Sequence, residues 1–128
     1  MSNPIIGGIE IIGIRDVGKI ENERVLLRAI EPIKTEYYVV VNVKQNGDKL
    51  STLNDKVYWF SVGLVNAGEF IRLYTKKGVN KKEEGKYGKV PAIYHNFYWN
   101  LDNAIWDGVK SDAVTIFKVD NWNTVYST

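Results

Sequence analysis

Cysteine is absent from the 128 residues, which excludes disulfides, thiolate metal sites and cysteine catalysis. The chain is compatible with a reducing compartment. Histidine is nearly absent: His95 is the only one. A metal site would have to combine it with carboxylates such as Asp102 or Asp107, whereas structural zinc normally takes more than one His or Cys. Long apolar runs are also missing. Stretches such as Tyr37 to Val41 fall far short of the ~20 residues a spanning helix needs. The opening residues, MSNPIIGGIEIIG, have no basic stretch followed by a sustained apolar one, so no signal peptide is read and a cytoplasmic location is expected.

Signatures of catalysis are equally sparse. A Ser-His-Asp set can be drawn from Ser61 or Ser111, His95 and Asp102, but no nucleophile-elbow pattern surrounds either serine. KKEEGKYGK lacks the order of a phosphate loop, and Asp102, Asp107 and Asp112 lack the alternating spacing of a calcium loop. These acids are read as turn and solvation residues. Asp112 in particular is expected to accept backbone amides near a hairpin. No cofactor is predicted.

What remains is period-two patterning. In ENERVLLRAI, Val25, Leu27 and Ala29 alternate with Arg24, Leu26 and Arg28. In TEYYVVVNVK, Tyr37, Val39, Val41 and Val43 share one face, and Tyr38, Val40, Asn42 and Lys44 the other. Such β-branched and aromatic residues pack well on a pleated surface. KVYWFSV, EFIRLYT and DAVTIFKV read as further strands with Val57/Trp59, Ile71/Leu73 and Val114/Ile116 pointing inward. In GGIEIIGIRD the apolar set changes parity, which a bulge near Gly13 would reconcile. Asn46-Gly47 and Asn66-Ala67-Gly68 are turns, and Pro91 restarts extended structure. No segment keeps a 3.6-residue period over ten residues. The chain therefore predicts one all-β domain over 1–128, a sandwich or barrel of short strands.

Three stretches together resemble the lamin tail domain family. IEIIGIRDVGKIENERVLLRAI is similar to its first strand, acidic Asn22-Glu23 and second strand with Val25 and Leu27. YWFSVGLVNAGEFIRLYT is similar to its aromatic strand, its turn at Ala67-Gly68-Glu69 and its strand ending in Tyr74-Thr75. AIWDGVKSDAVTIFKVDNWNTV matches at Trp106, Asp112, Val114 and Ile116. The resemblance implies an immunoglobulin-like β-sandwich of about 7–9 strands. It further implies a non-enzymatic interaction module, here without a coiled-coil rod since no heptad run is present.

Two regions are candidates for binding. Residues 94–108, YHNFYWNLDNAIWDG, hold five aromatic rings. Most of these are assigned to the core. Trp106 and Trp59 are expected inside, whereas Tyr94, Tyr98 and Trp99 are a candidate aromatic surface for sugar or nucleobase stacking. The second region is basic. Net charge is only +2, but Arg72 to Lys89 holds seven cations against Glu83 and Glu84. Residues 76–89 read as a long exposed hairpin loop in which Lys76, Lys77, Lys81, Lys82, Lys86 and Lys89, with Tyr87, could meet a phosphate backbone without reading sequence. The alternative is a solvated loop whose lysines prevent edge-to-edge pairing. The leading expectation is a protein partner met through an exposed strand edge or the aromatic end. Weak nucleic-acid binding and carbohydrate binding are the rivals.

Overall fold

The computed structural model describes residues 2–46, 49–51, 56–108 and 112–127. Twelve strands run through them: β1 (Ile5–Ile6), β2 (Ile9–Arg15), β3 (Arg24–Ala29), β4 (Ile33–Lys34), β5 (Tyr38–Asn46), β6 (Lys49–Ser51), β7 (Val57–Trp59), β8 (Leu64–Val65), β9 (Phe70–Tyr74), β10 (Lys81–Tyr87), β11 (Val90–Tyr98) and β12 (Asp112–Lys118). Nine of them are three residues or longer. A single turn of 3-10 helix, Thr35–Tyr37, precedes β5. The protein is all-β, as the alternating pattern predicts.

Six strands form one sheet in the order β1-β2-β3-β9-β11-β10, and β12, β5, β6 and β7 form a second; β4 and β8 pair separately. The inner faces of the two larger sheets meet in one core. Ile9, Val25, Leu27, Ile71, Leu73 and Phe97 from the first pack with Tyr38, Val40 and Ile116 from the second. The architecture is sandwich-like. Ile71 and Leu73 point inward as expected, and Ile116 does so with Val114 against it. In β5 the buried parity is that of Tyr38, Val40 and Asn42. The β2–β3 register shifts between Ile11 and Gly13, where the parity change predicts a bulge. Gly13 there has φ +152, a backbone conformation that glycine tolerates best. Asn46 pairs with Lys49 across a connection at 47 and 48, so the Gly47 half of the Asn46-Gly47 turn lies outside the described residues.

Two expectations need correction. Residues 76–89 are not a loop: Lys81 to Tyr87 form β10, in register with β11 from Lys81↔Asn96 to Tyr87↔Val90. The hairpin turns at Gly88, φ +63. Charge and glycine argue for a loop only where a face is buried. β10 is an edge strand with both faces close to water, and its ladder uses backbone groups alone. Trp59 is not core. It is 45% exposed, and Val57 is exposed with it. Tyr58 is the inward residue of β7, opposite fully buried Val40 and edge-on to Phe60 at 5.0 Å. Because Val57-Tyr58-Trp59-Phe60 is apolar in both phases, its alternation carries no parity information.

Candidate functional site

The aromatic end is closed rather than open. Tyr94 and Tyr98, expected as a binding surface, are buried at 6% and 8% exposure, and Trp99 is packed against the core. Parity does separate them: Tyr94, Asn96 and Tyr98 lie on the outer face of the six-stranded sheet, opposite inward Phe97. Long side chains and backbone then cover that outer face. The Arg72 guanidinium carbon sits 3.7 Å from the Tyr94 ring centroid. Arg72 also donates to Asn96 Oδ1 and to Glu83 Oε1, which holds it there. Gly78 crosses Tyr98 so closely that an added Cβ would lie 2.4 Å from the ring. The π faces that a sugar or base would need are already occupied. Trp106 is core, 2% exposed, with its indole N–H donating to the Ala113 carbonyl.

The six lysines are dispersed. Lys81, Lys82 and Lys86 alternate along β10, so Lys82 and Lys86 face away from Lys81. Lys77 pairs with Asp102 at 2.8 Å; that contact raises the lysine pKa and lowers that of Asp102. Lys76 lies 3.9 Å from Glu21, and Lys81 lies 3.9 Å from Glu83. Lys89 sits in the turn beyond β10. Half of the expected cationic patch therefore has an anion beside it.

His95 and Ser61 line one small pocket, but their side-chain hydrogen bonds run elsewhere, and neither Asp102 nor Asp107 lines it. The His95 Nε2 lies 2.8 Å from Glu69 Oε1, which also accepts the Asn66 N–H. Burial pushes the Glu69 pKa up, but hydrogen bonds from His95 and Asn66 and the charges of His95 and Lys82 outweigh it, and the net shift is downward. Ser61 Oγ accepts from Asn80 instead. Ser111 lies outside the described residues. Asp112 accepts the Asp107 N–H at 2.8 Å, the turn role expected of it.

One polar node joins residues that the sequence marks singly, at Glu23, Thr75 and Trp106, but does not show to be in contact. Glu23 is fully buried and accepts four hydrogen bonds, from Gly18 N–H at 2.8 Å, Thr75 Oγ1 at 2.6 Å, Ile105 N–H at 2.9 Å and Trp106 N–H at 3.3 Å. A buried carboxylate is tolerable because its lone pairs are satisfied. It ties the β2–β3 turn to the end of β9 and to the segment before β12.

A cluster of exposed aromatics lies elsewhere, on the outer face of the second sheet, apart from the exposed Tyr87 on β10 and Tyr126. Register aligns Phe117, Val39 and Trp59 across β12, β5 and β7, and Thr115, Val41 and Val57 in the next row. Residues directly opposite in antiparallel strands point to the same side, so these six share one face. Phe117 is 51% exposed and Val57 54%. At the end of the face Trp122 stands edge-on to Trp59 at 5.1 Å and to Tyr37 at 5.6 Å. The Trp59 indole N–H donates to the Glu36 carbonyl at 2.7 Å, which fixes the ring's orientation. The Val119 N–H donates to the Tyr37 carbonyl, which anchors the chain leading to Trp122. None of these eight side chains is an aspartate, glutamate, lysine, arginine or histidine. Contiguous apolar exposure of this kind marks an interaction surface, whereas single exposed apolar residues do not. Strand phase could have located it only through Val39, Val41 and Phe117, since β7 is apolar in both phases.

Comparison of the chain with protein-family models, with curated proteins and with solved structures finds no match. Among the described residues, no helix is long and apolar enough to cross a membrane.

Proposed function

We propose that this chain is a non-enzymatic binding module on an immunoglobulin-like sandwich of the lamin tail type, and that it engages a protein partner through the outer face of β12, β5 and β7. The observation that carries the reading is the pair of uncharged rows, Phe117–Val39–Trp59 and Thr115–Val41–Val57, in which Phe117, Trp59 and Val57 are exposed and the other three half-buried. Burying such a surface contributes roughly 25 cal/mol per Å². Protein is favoured over carbohydrate by shape. The Trp59 and Trp122 rings are 85° apart and present no common plane to a sugar, while the valines between them suit apolar side chains. A binding role is favoured over catalysis because Glu69 and His95 satisfy each other. The lamin-tail relationship draws support from the Glu23 node, where Glu23, Thr75 and Trp106, three of the residues that carry the resemblance, meet.

Site-specific crosslinking in the cells that make the protein tests this. A photoreactive residue placed at Val57 is expected to capture a protein, and one placed at Lys86, on the other sheet, is not. Absence of any protein adduct from Val57, or equal adducts from both positions, removes the proposal.

A further inference from the structure

We infer that the protein seated on the β12–β5–β7 face is a second copy of this chain, packed sheet against sheet about a two-fold axis. The inference rests on the reading of that face as a docking surface and adds the identity of its occupant. Charge is the first argument. In an isologous contact the same patch serves on both sides, so a charge on it that finds no opposite charge across the axis is buried unpaired or set against its like. The rows Phe117–Val39–Trp59 and Thr115–Val41–Val57 carry none, and so can face themselves without repulsion. Two other surfaces are less suited. The outer face of the six-stranded sheet carries Arg28, Arg72 and Glu83, and the free edge of β10 carries Lys81, Lys82, Glu84 and Lys86. Those features oppose self-pairing.

Shape is the second argument. Two sheet faces can pack about 10 Å apart with strands within about 30° of each other. The third is area. Trp59, Phe117 and Trp122, each close to half exposed, leave on the order of 100 Å² apiece. Together with Val57, Val39, Val41 and Tyr37, two copies bury roughly 1,000–1,200 Å² in all, at the lower bound of specific interfaces. The expected dimer is therefore reversible, with dissociation in the micromolar range, ~1–100 µM.

Sedimentation equilibrium of the full chain tests this between about 1 and 200 µM, a range that brackets that affinity. The weight-average mass is expected to rise from one chain toward two, and to do so undiminished as salt is raised, since the contact is apolar. Val57→Lys, which places two cations across the axis, is expected to keep the chain monomeric throughout the range. Thr115→Lys, in the same row, is the second variant should Val57→Lys lose its folded circular dichroism. Lys86→Glu is expected to leave association unchanged. A wild-type chain that stays monomeric to the top of the range overturns the inference, as does association that survives both lysine variants or is abolished by Lys86→Glu. A monomeric chain whose Val57 position still crosslinks to a different protein overturns the second copy while the docking face stands.

Discussion

Glu23 and Trp106 are joined across 83 residues of sequence by one hydrogen bond, from the Trp106 N–H to Glu23 Oε2 at 3.3 Å. The same carboxylate holds Gly18, Thr75 and Ile105. Glu23→Ala would leave several buried donors without an acceptor. Each such group costs about 1–3 kcal/mol, so the substitution is expected to destabilise by roughly 3–5 kcal/mol in urea unfolding. A loss below about 1 kcal/mol would show that water replaces the carboxylate at no great cost.

The four tryptophans divide by position, and stability measurements separate them. Trp106→Ala, in the core, is expected to cost about 3–5 kcal/mol. Trp59→Ala, on the open face, should cost about 1 kcal/mol or less for the monomer. Chemical denaturation at concentrations low enough to exclude association compares the two. Equal losses would place Trp59 back in the core.

Gly78 is required by the ring beneath it. A Cβ there would approach the Tyr98 ring to 2.4–2.7 Å, and that ring is itself buried. Gly78→Ala should therefore destabilise by roughly 1–3 kcal/mol through overpacking. Tyr98→Ala removes the obstacle, so the double variant is expected to lose less than the sum of the two single losses. Additive losses would mean that the close approach is not what constrains position 78.

Acid stability carries the mark of Glu69. Its folded pKa lies below the ordinary value, so its contribution is fully present above the unfolded pKa and is lost as pH falls through the folded one. Glu69→Gln should be less stable than wild type near neutrality, and the gap should narrow as pH falls through the carboxylate range. Urea midpoints measured across that interval decide it. A gap that stays constant would rule out ionisation of Glu69 as the cause.

Nucleic acid is expected to bind poorly. Lys77, Lys76 and Lys81 each have a carboxylate within 4 Å, and Lys82 and Lys86 face away from Lys81. Filter retention of single-stranded DNA should be negligible at about 0.15 M salt, where a few lysines cannot overcome screening. Salt-sensitive retention that disappears with Lys81→Glu and Lys82→Glu would restore the basic strand as an interface.

How much of this was legible in the residues depends on what each strand faces. Where charge and apolar residues alternate, as in Arg24 to Ala29, parity gives the core face, Val25 and Leu27 inside and Arg28 out, but Leu26 on the arginine face is buried too, against Phe70 and Tyr94. The Gly13 bulge is legible for the same reason, because it repairs a visible change of phase. Parity fails in Val57 to Phe60 and does not settle exposure in Tyr94 to Trp99. In the first, both phases are apolar. In the second, arginine stems and the Gly78 backbone cover the face that alternation leaves outside. β10 is illegible because an edge strand needs no buried face. The contacts of the Glu23 node are illegible because, beside the nearby Gly18, its donors come from two distant parts of the chain, at Thr75 and at Ile105-Trp106. The docking face depends on register between β12, β5 and β7, which no single strand contains.

The parallel neighbours β9 and β11 follow each other in sequence only after the chain has gone out to β10 and returned. β11 is thus the middle rung between a partner made earlier and one made immediately before it. The β10–β11 hairpin closes over a few residues at Gly88 and can zip within microseconds, whereas β9 must wait for that hairpin to arrive as a finished unit. The hairpin at the rim is therefore a local unit that forms early, and the slow step is left to the long-range pairing of β3, β9 and β11.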